Sequence, residues 1–179
     1  MQIERTAIEG VLILRPRKFT DARGFFAPVF VASALETAGV KHGWVQDSQS
    51  LSLRKGTVRG LHFQRPPFAQ AKLVRVIRGA AIDVCVDLRE ESPTRGAHVA
   101  VELTADNLVQ VYIPPGFAHG FCTLSDNTEV LYKVSATWSP DHEGGVRWND
   151  PALRIAWPVK DVDSVIADRD ANWPLLSQG

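Results

Sequence analysis

Short apolar runs, closed by turn signals every ~8–12 residues, constrain this 179-residue chain more than any other feature. Segments 8–14, 44–53, 72–77, 80–86, 97–103, 109–113, 119–123 and 129–138 each read as a strand. Residues 33–38 form the best helix pattern, with Gly39 as its stop, and a second helical turn is expected over 161–167. Arg78-Gly79 predicts a two-residue hairpin loop, and Pro114-Pro115-Gly116 a tight turn. Strands this short and this closely punctuated predict an all-β sandwich or barrel of jelly-roll type. From about residue 148 the chain is loop-like and rich in tryptophan and proline, so it must wrap back on the barrel to bury those rings. There is no internal repeat, and the length predicts one domain over 1–179.

Composition excludes several classes of function. Twenty basic residues balance twenty acidic ones, so the basic excess of a nucleic-acid or membrane-surface binder is missing. No apolar run approaches the ~20 residues of a membrane helix. The opening Met1-Gln2-Ile3-Glu4-Arg5 has no signal-peptide pattern, which makes the cytoplasm the default expectation. Cys85 and Cys122 lie in apolar strand patterns and read as buried, reduced thiols.

Chemistry concentrates around Gly56-Thr57-Val58-Arg59-Gly60-Leu61-His62-Phe63-Gln64, with Lys72 close behind. Basic side chains directed into a β-rich interior are costly unless each has a partner or a task. Arg59 and His62 have opposite parity on a regular strand. They share a cavity only if the chain bends between them, which Gly60 permits as a bulge. In the register of the expected hairpin, Lys72 lies opposite Cys85 and diagonal to Asp83, on one face. Spacing alone leaves open whether that face is interior or solvated. His119 opens a strand after the Pro-Pro-Gly turn and reads equally as functional or structural. Tyr132 shares a face with Val130, Val134 and Trp138, which also suits a core tyrosine. A carboxylate behind a histidine would fix its tautomer, but pattern alone does not choose Asp170 over Asp168 or Asp163. No His-x-His pair exists among the five histidines, which disfavours a metal site. Glycine-rich nucleotide loops are absent, so a phosphate would be gripped by side chains such as Arg23, Arg59 or Arg169.

Taken together, these segments resemble the dTDP-4-dehydrorhamnose 3,5-epimerase family. The matching motifs are Asp21-x-Arg23-Gly24-x-Phe26, Gln46-Asp47, Val58-Arg59-Gly60-Leu61-His62-Phe63-Gln64, Gln70-x-Lys72-Leu73-Val74 and Asp83-Val84-x-Val86-Asp87. Further on come Ser92-Pro93-Thr94, Ile113-Pro114-x-Gly116-Phe117-Ala118-His119-Gly120-Phe121, Tyr132-Lys133, Ser139-Pro140, Glu143-x-Gly145 and Trp148-Asn149-Asp150-Pro151. They span nearly the whole chain in the family's order.

The resemblance implies a cupin-type jelly roll, a homodimer, and catalysis without metal or other cofactor. Its implied substrate is a nucleoside-diphosphate 4-keto-6-deoxyhexose, converted from dTDP-4-dehydro-6-deoxyglucose to dTDP-4-dehydrorhamnose. On the matched positions His62 is the base, Asp170 its partner, Tyr132 the acid on the opposite face of the sugar, and Lys72 the cation at the 4-keto oxygen. Arg59 and His119 stand nearby, Trp138 stacks on a pyrimidine, and Arg23 and Phe26 approach the nucleotide of the neighbouring subunit. Gln46, Ser48, Glu143 and Arg169 complete the implied substrate-binding set. The chain departs from the family pattern at Pro28, at Ser48 and in Ala167-Asp168-Arg169-Asp170, positions assigned to nucleotide and diphosphate contacts. Inversion at C3 alone, a related ketoisomerase, and binding without turnover stay open as alternatives.

Overall fold

Strands in this computed structural model, which describes residues 1–160 and 163–176, form where β-branched and aromatic side chains alternate with polar ones. The chain begins with β1 (Gln2–Arg5), β2 (Leu12–Arg15), the small hairpin β3 (Phe19–Asp21) and β4 (Gly24–Phe26), and helix α1 (Ala32–Thr37). The barrel strands follow: β5 (Gln46–Ser52), β6 (Val58–Gln64), β7 (Lys72–Arg78), β8 (Ala80–Asp87) and β9 (His98–Thr104). After them come β10 (Gln110–Ile113), β11 (Phe117–Thr123), β12 (Thr128–Val134), the short β13 (Glu143–Gly145) and the single turn α2 (Asp168–Ala171).

Two antiparallel sheets face one another. One has six strands in the order β1-β2-β10-β7-β12-β5, the other five in the order β13-β6-β11-β8-β9. The core lies between them: Val74, Val76, Val111, Ile113 and Val130 of the first meet Ala81, Cys85, Leu103, Phe117 and Phe121 of the second. This is the jelly-roll sandwich that the strand spacing predicts. Every residue of β11 is buried, because both faces of the five-stranded sheet are covered. The covering comes from the tail, where Leu153, Ile155, Trp157 and Leu176 pack on Leu61, Val84, Val86 and Ala118. The tail thus wraps back on the barrel as its tryptophans require. Leu35 of α1 seals part of the six-stranded sheet against Leu12, Leu14, Leu73 and Tyr112. Both cysteines are buried and free.

Three local expectations are corrected. The first concerns Arg78-Gly79, which is a corner between sheets rather than a hairpin loop: β7 belongs to the six-stranded sheet and β8 to the five-stranded one. Gly79 takes φ +76°, and the Ser125 and Thr128 hydroxyls crowd the place of its missing Cβ. Ser125 Oγ accepts from the Ala80 N–H at 3.2 Å, so the polar groups that a hairpin would pair internally are taken by the β11–β12 turn. Cys85 therefore pairs with His119 and Val99, not with Lys72. The second concerns 8–14, which is a strand only from Leu12, with β1 pairing ahead of it. The third concerns the helical turn expected over 161–167. Asp161 and Val162 lie outside the described residues, Val165 is extended and bridges Thr57, and the helical turn comes at Asp168–Ala171.

The bend at Gly60 is present. His119 pairs with His62 and Phe121 with Arg59, so two steps on β11 span three on β6. This bulge reverses the parity of β6, and Arg59 and His62 both line one cavity. Gly60 sits at φ +134°, and a Cβ there would lie 2.5 Å from Gly120 Cα. Gly60→Ala should therefore destabilise the fold by about 3 kcal/mol, combining left-handed strain with overpacking. Urea unfolding measures this, and a change below about 1 kcal/mol would show that the bulge does not require glycine.

Candidate active site

Between the sheets lies a cavity of about 750 Å³, in the range of small-molecule sites. Its walls alternate in origin. His62 and Arg59 on β6, His119 on β11 and Glu143 on β13 come from the five-stranded sheet. Lys72 on β7, Tyr132 on β12 and Gln46 and Ser48 on β5 come from the six-stranded sheet. Arg169 and Asp170 of α2 close one side, and Trp138, beyond the end of β12, stands at the mouth with 56% of its surface exposed.

His62 Nε2 lies 2.7 Å from Asp170 Oδ1. The Gly60 N–H donates to the other oxygen, Oδ2, at 3.1 Å. Burial alone would raise the Asp170 carboxyl, but the hydrogen bond to His62, the Gly60 amide and the Arg169 charge together hold it below the ordinary carboxylate range. An ionised Asp170 accepts from Nε2–H and so selects the tautomer whose lone pair is on Nδ1, the arrangement a general base needs.

Lys72 is a part-buried cation facing the cavity. Its Nζ reaches the His62 carbonyl at 3.4 Å. Burial lowers its pKa to about 8, while the negative charges of Asp83 and Glu143 oppose that shift. Lys72 and Asp83 do share the interior, but across the sandwich from facing sheets rather than across a hairpin. Asp83 also backs a second histidine, with Oδ2 2.7 Å from His119 Nε2. Its Oδ1 is buried without a hydrogen-bond partner among the described residues. Burial pushes His119 below the ordinary histidine value despite Asp83, so its ring is neutral. Tyr132 is raised, chiefly by burial, and keeps its phenolic proton. Arg59 is pinned by Ser52 Oγ at 3.1 Å and the Leu51 carbonyl at 3.0 Å.

Eleven of the residues singled out in the sequence thus meet around one space. Arg23 and Phe26 do not line it: they sit on the β3–β4 hairpin, where Arg23 pairs with Asp21 at 2.5 Å and Phe26 is 70% exposed. Sequence reasoning missed Asp83 as the carboxyl behind His119, because that contact depends on the β8–β11 register. It named Gln64 within the basic cluster but gave it no role; Gln64 Nε2 donates to the Phe68 carbonyl at 2.7 Å and ties the cavity edge to a loop. Among the described residues no three His, Cys, Asp or Glu side chains converge as a cation's donor set would.

The fold is a cupin-type jelly roll, and between its sheets lies a cavity lined by histidine, lysine, tyrosine and carboxylate side chains. The chain belongs to the dTDP-4-dehydrorhamnose 3,5-epimerase family, whose model matches residues 5–178. A protein of that name from Sinorhizobium fredii is 47% identical over 178 residues, covering 99% of this chain and 91% of its own length. One from Salmonella typhimurium is 49% identical over 179 residues, covering 99% and 97%. The crystal structure of dTDP-4-dehydrorhamnose 3,5-epimerase from Bacillus anthracis, with TDP and PPi bound, superposes with a TM-score of 0.94 at 48% identity, covering 97% of this chain and 98% of that one.

The Lys72 amine should lose its proton near pH 8, being cationic below that point and neutral above it. Reductive methylation with ¹³C-formaldehyde followed by NMR titration reads this directly. A Lys72 signal that titrates with the surface lysines would show that the cation is not buried.

Proposed function

We propose that this protein inverts C3 and C5 of a nucleoside-diphosphate 4-keto-6-deoxyhexose, forming dTDP-4-dehydrorhamnose from dTDP-4-dehydro-6-deoxyglucose without a cofactor. The observation that carries the proposal is the placement of His62 and Tyr132 on facing sheets of one cavity that also holds Lys72. Inversion of a carbon requires removal of a proton on one face and delivery on the other. Two groups on opposite walls do this without the sugar turning over.

In this mechanism the His62 lone pair takes the proton from the carbon beside the ketone. The C–H electron pair becomes the C=C bond of an enolate, and the former ketone oxygen carries the charge. Lys72 stabilises that oxygen in a water-poor pocket, where a fixed cation is worth far more than in water. Asp170 holds the imidazolium that forms. Tyr132 then gives its proton to the opposite face of the same carbon, and exchange with solvent resets acid and base. A raised Tyr132 suits a group that must remain protonated until it is used.

The remaining lining residues are assigned to binding. Arg59 and His119 lie beside the sugar, while Gln46, Ser48 and Trp138 flank the base. Arg169 and Glu143 sit at the rim, where the diphosphate would lie. The functional unit is a homodimer in the cytoplasm, in which Arg23 and Phe26 of one subunit meet the nucleotide held by the other. Support for this comes from the exposed Phe19, Phe25 and Phe26 on a hairpin outside the chain's own cavity.

Incubation with the 4-keto sugar nucleotide in D2O tests the reading. Deuterium should enter at both C3 and C5, and its absence from both, with the protein folded, would refute the proposal. Deuterium at C3 alone would narrow the activity to one centre. His62→Ala should lose exchange at both carbons by at least the ~10²–10⁴-fold typical of a general base. Tyr132→Phe should retain exchange but lose inverted product, and equal loss of exchange in both variants would contradict this division of labour.

A further inference from the structure

The motif Trp148-Asn149-Asp150-Pro151 has no place in the cavity, yet the loop that carries it grips the chain just beyond Asp170. Asp170 sits on α2, a turn of four residues with no side-chain cap at its start. A helix that short has no stability of its own, so its place is set by what holds the chain on either side. Before it, Val165 bridges Thr57, and its carbonyl accepts the Val58 N–H at 2.8 Å. After it, the Arg147 N–H donates to the Pro174 carbonyl at 2.9 Å, and Arg147 Nε donates to the Trp173 carbonyl at 3.2 Å. Asp150 Oδ2 then accepts the Leu176 N–H at 2.7 Å.

This loop is fixed to the strand that carries His62. Gly145 pairs with His62, and Val146 exchanges both backbone hydrogen bonds with Leu61, at 3.0 and 3.2 Å. Trp148 is buried against Val58 and Cys122, and its carbonyl accepts the Trp157 indole N–H at 2.8 Å. Asp150 is 4% exposed, and its Oδ1 is taken by the Ala152 N–H at 2.8 Å, which locks the carboxyl into its own turn. Trp173 fills the space between loop and base: its ring lies 6.3 Å from the imidazole, and a Cβ on Gly145 would collide with it. Neither Arg147 nor Asp150 lines the cavity.

We propose that Arg147 and Asp150 are positioning residues, which clasp residues 173–176 to the β6 side of the barrel and so hold Asp170 against His62. The importance of that contact rests on the reading of His62 as base; the clasp itself rests on geometry. His62 and Asp170 are 108 positions apart and joined by one 2.7 Å hydrogen bond. With the chain fixed on both sides of α2, most of the freedom that bond would have to restrain alone is already gone. The second histidine–carboxylate pair needs no clasp, because His119 and Asp83 lie on β11 and β8, which are paired along their length.

That contrast supplies the test. In histidine-¹⁵N-labelled protein without ligand, the Nε2–H protons of His62 and His119 report the two pairs separately, the His62 signal being identified by its loss in His62→Ala. In Asp150→Ala and in Arg147→Met the His62 signal should move upfield or be lost to exchange with water, while the His119 signal stays in place. Should Asp150→Ala fail to fold, Arg147→Met, which keeps the buried carboxyl, decides. An unchanged His62 signal in either folded variant overturns the proposal, as does equal disturbance of both signals, which would mark a general loss of structure. With the 4-keto sugar nucleotide, kcat for deuterium exchange should fall by up to ~10²-fold with KM unchanged, since a misplaced base loses rate rather than binding. A raised KM at unchanged kcat would overturn the role in positioning the base. Absence of exchange in the unaltered protein would sink the proposed function instead, and the ligand-free spectra would still decide the clasp.

Discussion

A lysine cation held between two β-sheets is the constraint around which the site is arranged. Removing an ammonium from water costs several kcal/mol, so Lys72 requires anions at fixed places. It finds them in Asp83 on β8 and Glu143 on β13, both on the sheet facing its own. Attraction across the gap therefore joins the two layers where apolar packing stops and the cavity begins. Among the described residues no carboxylate forms an ion pair with the amine, so its charge remains available to an oxygen entering the pocket. Were an acid bonded to Nζ, a developing enolate would have to compete with it.

Two histidine–carboxylate pairs of equal length face this cation but differ in access. His62–Asp170 and His119–Asp83 are each 2.7 Å apart, yet the His62 side chain is 22% exposed and that of His119 only 7%. The first can reach a reactant and exchange protons with water. The second is fixed in a neutral state by burial and shapes the floor of the cavity. The bulge at Gly60 makes the difference, because it brings His62 into the open part of the pocket together with Arg59. It also aims the Gly60 amide at Asp170. One irregularity in a strand thus sets the orientation of the imidazole and supplies a donor to its partner.

The jelly-roll class was legible in the spacing of short apolar runs, since few folds bury so many brief strands. The partner of each strand was not. Arg78-Gly79 suits a hairpin and a corner equally, and the choice lies with Ser125 and Thr128, whose approach cannot be read from the local sequence. The choice of Asp170 among three nearby aspartates was likewise invisible to pattern, because it depends on contact with a strand 108 positions earlier. Only the family resemblance pointed to it. Gly60 was the most informative single residue: a glycine between two basic side chains of opposite parity permitted the bulge that the structure shows. Asp83 was half-read, being matched to Lys72 for the wrong reason and never to His119.

The long reach between His62 and Asp170 also bears on the order in which the molecule becomes competent. Every strand of both sheets, through Gly145, is synthesised before the ribosome reaches Asp170. A nascent chain can therefore assemble its barrel, with the lysine and the phenol in place, while the imidazole still lacks its carboxylate. The tail that seals the five-stranded sheet also carries the carboxylate of this pair, so burial of its tryptophans and completion of the His62–Asp170 contact belong to one docking event.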